Sequence, residues 1–369
     1  MRDFADATRS YESWMAERLD LRAATPRQRQ RFGAAIAEKH RAIAASDVAF
    51  LRGTFYWWLE RWQELDARIR NAPRLLAVGD LHLENFGVWR DEEGRLVWGV
   101  NDVDEAHELP FTNDLVRLMT SIWLAVEDGA LGIEHERAAD ELLGAYRKAL
   151  KGEGAPFVLE SEHQWLRKLA LVSVEDGQKF WDDLLKLDDD IDVEPDAADL
   201  LREQLRRGAE VERIVYRLAG VGSMGRPRYV ALAQWQGGLI AREAKAALPS
   251  AAHWRAQTYA EPNQAPRALL RRARRAADAA LHLDKGWVVR RLSPESRKIE
   301  LKEVAEHGRA ARLVRAMGVE LANLHLGTAH NPAGLRRYLR VMPKDWLAET
   351  AERMAKAIAK DRAAMAPAK

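Results

Sequence analysis

The sequence predicts an α+β fold of two lobes, a small β-rich lobe set between two parts of a large helical one. Three observations carry this expectation. Apolar residues recur at helical spacing through most of residues 9–70, 112–205, 306–327 and 337–364. Between residues 213 and 292 the chain changes to short runs of Val, Ile, Leu and Tyr around a glycine-rich loop. The strands and helices are segregated along the chain instead of alternating as βαβ units. A chain of 369 residues is long enough for two lobes with a cleft between them.

The first block carries Phe55-Tyr56-Trp57-Trp58 on a helical pattern, and aromatics at that spacing are expected to pack into core. Arg74-Leu75-Leu76-Ala77-Val78 is a short apolar run that stops at Gly79, the pattern of a buried strand feeding a loop. Phe86 to Trp89 and Leu96 to Val100 flank the polar, glycine-containing turn 90–95 and predict a hairpin. Helix is expected again from Thr112 to about residue 205. Its acidic stretch 188–194 has Val193 where a calcium loop requires glycine, so a plain inter-helix loop is expected. After the β-rich stretch, a basic helix is predicted over 265–283, strands over 287–292 and 298–301, and then the two closing helices. The alanine-rich end, 363–369, is expected to fray. These elements divide the chain into 1–205, the first part of the helical lobe; 206–305, the β-rich lobe; and 306–369, the second helical part.

Composition removes several function classes. With 58 basic residues against 56 acidic ones, nothing in the charge balance predicts wrapping of nucleic acid or an anionic membrane surface. The absence of cysteine excludes disulfides, thiolate nucleophiles and cysteine-based metal sites. No HExxH or Gly-x-Ser-x-Gly pattern occurs, which speaks against a zinc hydrolase and a serine hydrolase. No apolar run reaches transmembrane length and the N-terminus is polar, so a cytoplasmic protein is expected. Nothing in the sequence indicates an oligomeric state.

Four polar residues at defined places point to chemistry. Asp80 follows a strand and a glycine, and Asn85 lies five residues later. Asp102 ends the second hairpin strand, and Asp114 opens a helix. Each alone is an ordinary turn residue. Together they match what phosphoryl transfer requires, namely a carboxylate to accept the acceptor's proton and a second carboxylate with an amide oxygen to hold Mg²⁺ against the phosphates. Asp80 suits the first role, while Asn85 and Asp102 suit the second; Asp104 and Glu105 could also reach the metal. Asp114 is expected to be structural, as a helix cap or a brace for the loop backbone.

Gly220-x-Gly222-Ser223-x-Gly225 has a spacing shared with dinucleotide-binding turns, but here it is followed by strand instead of helix. Lys245 lies 20 residues after Gly225 at the end of the next strand. A glycine loop joining two strands, with a lysine on the strand after, is the arrangement that covers the phosphates of ATP. The helix expected over 265–283 contains no glutamate, which makes its Asp278 the candidate partner for Lys245, with Glu243, Glu300 and Glu303 as alternatives.

Gly79-Asp80-x4-Asn85, Asn101-Asp102 and Asp114-Leu115 resemble the catalytic and metal motifs of aminoglycoside and choline phosphotransferases, which have the protein-kinase-like fold. More closely, Phe50-Leu51-Arg52-Gly53, the loop Gly79 to Gly87, Asn101 to Glu105 and Gly220 to Gly225 are similar to the bacterial domain-of-unknown-function family numbered 2252, over roughly residues 30–335. The kinase-like resemblance implies that His82 braces the catalytic-loop backbone. It also places Leu321 to His325 on the helix that normally precedes that loop. Because the glycine loop and lysine follow the catalytic loop here, it implies a circular permutation with both terminal helical blocks in one lobe. The expected function is ATP- and Mg²⁺-dependent phosphoryl transfer to a hydroxyl of an unidentified small molecule or protein. Nucleotidyl transfer and a non-catalytic nucleotide-binding role are the alternatives.

Overall fold

The structure is a computed structural model that describes residues 2–160, 162–296, 298–306 and 308–365. The N-terminal block folds as α1 (Phe4–Arg18), α2 (Pro26–Ala45), α3 (Asp47–Gly53), α4 (Phe55–Arg61) and α5 (Ala67–Arg70). Local chemistry sets these boundaries. Asp3 caps α1, a capping box of Thr25 and Gln28 starts α2 with Pro26 in its first turn, and Ser46 caps α3. Phe55, Tyr56, Trp57 and Trp58 are all buried, and Tyr56 stacks on Tyr11 with ring centroids 4.4 Å apart.

Strand β1 (Arg74–Ala77) leads into the expected loop, and β2 (Phe86–Arg90) and β3 (Leu96–Val100) form the expected hairpin, its turn closed by Asp91. Strand β4 (His107–Pro110) returns antiparallel to β1. The next stretch is interrupted: α6 (Thr112–Glu127), α7 (His135–Ala149), the short strand β5 (Phe157–Val158) against β3, then α8 (Gln164–Ala170), α9 (Val174–Leu185) and α10 (Pro195–Glu203). Strands β6 (Glu210–Tyr216), β7 (Arg228–Trp235) and β8 (Gly238–Ala246) follow, and then α11 (Ala251–Ala256), α12 (Gln264–Arg272), β9 (His282–Asp284) and β10 (Trp287–Leu292). The chain closes with α13 (Leu301–Glu306), α14 (Ala310–Thr328), α15 (Pro332–Val341) and α16 (Trp346–Ala363).

The β-rich unit is one antiparallel sheet in the order β6-β7-β8-β10-β9. Alternation along its strands sends Tyr229, Ala231, Ala244 and Val289 to one face, packed on Ala197, Leu200 and Leu201 of α10. The other face carries Val230, Leu232, Ala241 and Leu292 against Leu184 and neighbours on α9. Both covering helices precede residue 206, so this sheet's core draws on residues the sequence assigns to the helical part. Register continues the second face into charge: Glu243 lies opposite Val230 and Arg290, and Lys245 opposite Arg228. One sheet face is thus apolar under α9 and ionic at its other end.

The large core joins both chain ends. Residues of α3, α4, α6, α14 and α16 belong to one buried cluster, and Asp361 accepts Trp57 Nε1 at 2.6 Å. Three expectations are corrected. The basic helix stops at Arg272, because the chain turns extended at Ala273 and the amide of Arg274 bonds the carbonyl of Asn323 on α14; Asp278 therefore lies in a turn. Lys298 makes only an isolated bridge to Gly87, and Leu301 begins α13, so no strand forms there. Met342 to Asp345, with Pro343, divide the last helical stretch into α15 and α16. Residues 366–369 of the end expected to fray lie outside the described residues.

Candidate active site

The Gly79–Gly87 loop is held from behind by α6 and α14. Asp114, fully buried, accepts the backbone N–H groups of Val78 at 2.8 Å and Gly79 at 3.0 Å. Asn113 donates to the Gly79 carbonyl, and the Leu83 amide donates to Ser121 Oγ at 2.8 Å. His325 Nε2 lies 3.1 Å from Asp114 while its Nδ1 meets Tyr146 Oη at 2.8 Å, extending the brace into the core. Gly79 has φ +82°, and a Cβ there would overlap the Glu105 carbonyl oxygen, so the turn into Asp80 requires glycine.

Asp80 faces the cleft and is paired with the fully buried Arg117 of α6, whose Nε donates at 2.7 Å and which also bonds the Leu51 carbonyl. Burial raises the Asp80 carboxyl above its ordinary value, and the charge of Arg117 limits the rise. Asn85 ties the hairpin to the loop. Its Nδ2 donates to the carbonyls of Asp80 and Asp102, and its Oδ1 accepts the Asp102 amide at 2.8 Å.

Lys245 closes the site from the sheet side. Its Nζ lies 2.8 Å from Asp102 and also pairs with Asp104. Desolvation acts to raise Asp102, but the Lys245 ammonium, the hydrogen bond with Asp104 and the charge of Arg290 together outweigh it and hold that carboxyl well below the usual range. Burial and the neighbouring charge of Asp102 push Asp104 the other way. Arg226 bridges Asp104 at 3.1 Å and Glu105 at 2.9 Å, and Glu105 in turn accepts the Ala251 amide that opens α11.

The acidic groups and Arg226 border a cleft of about 330 Å³, while Lys245 lines an adjoining cavity of about 20 Å³ with Asp102, Asp104, Leu270 and Leu281. Asp80, His82, Asn85, Asp102 and Asp104 line the cleft's helical side, and Gly220, Gly222 and Ser223 line the sheet side. Gly222 sits over the floor: a Cβ there would lie 2.9 Å from the Arg52 carbonyl and 3.6 Å from Asp80 Oδ2. Arg52 itself pairs with Glu84 at 2.8 Å. The four sequence segments singled out above therefore meet in one place.

Three sequence expectations fall elsewhere. Lys245 is partnered by Asp102 and Asp104; Asp278 instead accepts the Ala280 amide in its own turn. Gly225, φ +96°, is packed against Ile36, Met15 and Phe32 and serves the lobe junction. Among the described residues the buried Nδ1 of His82 has no hydrogen-bond partner, and the bonds that brace the loop backbone come from Asp114, Asn113 and Ser121. Burial holds the His82 ring well below its ordinary pKa, hence neutral. Sequence patterning does not single out Arg117, Arg226, or Arg217, Arg228 and Arg290, which all pair with Glu243. Arg117 follows Asp114 by one helical turn, a buried polar pair on one helix face that could have signalled it.

Among the described residues, no group of three His, Cys, Asp or Glu side chains is arranged to hold a metal ion. Asp102 and Asp104 supply two carboxylates that already converge on a single cation, the Lys245 ammonium. Such a pair fits Mg²⁺, which takes one or two carboxylates and completes its shell with phosphate and water oxygens. No helix among the described residues is long and apolar enough to cross a membrane. The model of a family described as "Uncharacterized protein conserved in bacteria (DUF2252)" matches residues 31–176 and 192–366. No curated protein and no solved structure shows a significant match.

Proposed function

The chain belongs to the bacterial DUF2252 family, and we propose that it is a Mg²⁺-dependent, kinase-like phosphotransferase using ATP on a circularly permuted version of the kinase scaffold. One observation carries the reading. Lys245, on β8, the second strand after the glycine loop, meets Asp102 from 143 residues earlier in the chain, while Gly222 of that loop lies over Asp80. A lysine and a glycine loop above, with an acidic loop and a metal-binding acid below, is the division of labour that phosphoryl transfer uses.

In this reading the loop amides of Gly220 to Gly222 and the ammonium of Lys245 receive the phosphates, while the Ser223 amide closes the turn on the Gly220 carbonyl. Asp102 and Asp104, with the remaining lone pair of Asn85 Oδ1, would hold Mg²⁺, which when bound offsets phosphate charge and orients the chain. Asp80, oriented by Arg117, accepts the proton as the acceptor oxygen bonds to the γ-phosphorus and the bond to the β,γ-bridging oxygen breaks, releasing ADP. Arg117, itself held by the Leu51 carbonyl, positions the Asp80 carboxylate.

Incubating the protein with ATP, Mg²⁺ and fractionated metabolites, and separating ADP from AMP, tests the proposal. It expects ADP and one phosphorylated product, both abolished by Asp80→Asn. AMP with pyrophosphate would reassign the cleft to nucleotidyl transfer, and binding without turnover would reassign it to a non-catalytic role.

A further inference from the structure

At the sheet side of the cleft, three guanidinium groups share one carboxylate. Glu243, almost fully buried on β8, accepts Arg228 Nη1 at 2.6 Å and Arg290 Nε at 3.0 Å on one oxygen, and Arg217 Nη1 at 2.6 Å on the other. Their charges hold Glu243 far below the ordinary range although its burial works to raise it. Three cations against one anion leave this cluster positive; Asp102 and Asp104 offset part of the excess, and the partly exposed Arg217 and Arg290 present the remainder to the cleft, where an anion would balance it.

All three arginines line the 330 Å³ cleft together with the Gly220–Ser223 loop. A guanidinium has five N–H donors in a planar fork that matches phosphate oxygens. Among the bonds described, Arg228 adds Ser223 Oγ to Glu243, so donors remain for a ligand. The rest of the lining is equally informative. Among the described residues its apolar side chains are Val78, Ala219 and Val221, and no Phe, Tyr or Trp takes part. A heteroaromatic base is held by apolar and aromatic faces, and this void offers almost none.

We infer that the sheet side of the cleft binds phosphate in the place of a nucleobase, so that the donor is recognised through its polyphosphate chain and its base stays outside. The inference rests on the phosphotransferase reading and narrows it to a donor class: any Mg²⁺-bound triphosphate chain, inorganic tripolyphosphate included. With tripolyphosphate the acceptor oxygen bonds to the terminal phosphorus, the bond to the bridging oxygen breaks, the acceptor proton passes to Asp80, and pyrophosphate leaves where ADP would.

Calorimetric titration of the full chain with the Mg²⁺ complexes of ATP, GTP and tripolyphosphate tests it. The three dissociation constants are expected within about fivefold of one another, because all present the same chain to the same arginines. The double substitution Arg217→Gln/Arg290→Gln, both partly exposed, is expected to weaken all three by a common factor of about tenfold or more. If that variant does not fold, displacement of a fluorescent ATP analogue from the unmodified protein by tripolyphosphate decides the matter, with displacement expected at concentrations comparable to ATP. ATP preferred by more than fivefold over GTP and tripolyphosphate, or affinities unchanged in a folded variant, would overturn the donor class while leaving ATP-dependent transfer standing. Failure of all three to bind overturns both.

Discussion

On the helical side of the cleft, Asp80 and Asn85 stand on backbone that buried groups hold independently of any ligand: Asp114 grips two amides, and His325 and Tyr146 stand behind it. On the sheet side, Arg217, Arg228 and Arg290 are held by side chains, chiefly Glu243, and carry more charge than their partner cancels. The first arrangement is complete without a ligand and fixes geometry, which is what a proton-accepting carboxylate requires. The second is completed by an anion. Changes below should therefore damage turnover, and changes above should damage affinity and stability.

The largest effect tests the lower side. Asp80→Asn should reduce turnover by about 10²- to 10⁴-fold, the usual worth of a positioned base, while titration shows ATP affinity within about threefold of the parent. Turnover retained would remove Asp80 from the chemistry. On the upper side, Glu243→Gln leaves three guanidinium groups without their carboxylate and should lower unfolding free energy by about 3–5 kcal/mol in urea titration. Asp114→Asn keeps an acceptor of similar shape and should cost about 1–3 kcal/mol by the same measurement. The reverse order would mean that the loop brace, not the arginine cluster, carries the greater electrostatic load.

A pH profile sharpens the contrast further. Burial raises Asp80 and Arg117 restrains it, and the base works only when deprotonated. Turnover should fall on acidification at a pH above that of an ordinary aspartate, about 3.9, and Arg117→Met should move this acid limb higher still. An unmoved limb in a folded variant would show that Arg117 does not tune the base. The smallest effect lies outside the cleft: Arg27, whose pair with Asp190 is open to solvent, should tolerate Arg27→Gln without a measurable change in melting temperature or affinity.

The two sides also differ in how much of them could be read from the chain. Asp80 and Asn85 share one loop, and a hairpin with clear turn chemistry returns Asp102 to it, so local signals were sufficient. Lys245 was legible through its distance from the glycine loop, but its partner was not. The basic pattern around Arg271 and Arg272 reads as continuing helix, whereas a tertiary bond from Arg274 to Asn323 ends it and carries Asp278 away. Arg217, Arg228 and Arg290 belong to a residue after β6, to β7 and to β10, and only antiparallel register brings them to Glu243. Register is a non-local quantity, set by which faces are buried under α9 and α10. Gly225 follows the same logic: its spacing is that of a phosphate loop, while its surroundings are those of a packed junction.

In the proposed function, Lys245 and the acidic loops below it form one triphosphate site. Calorimetric titration of MgATP into the parent chain and into Lys245→Met tests this most directly. Saturable, Mg²⁺-dependent binding is expected of the parent and binding at least about tenfold weaker of the variant, the usual cost of losing a charge-assisted phosphate contact. Equal affinity in the two proteins, or no binding by the parent, would contradict it.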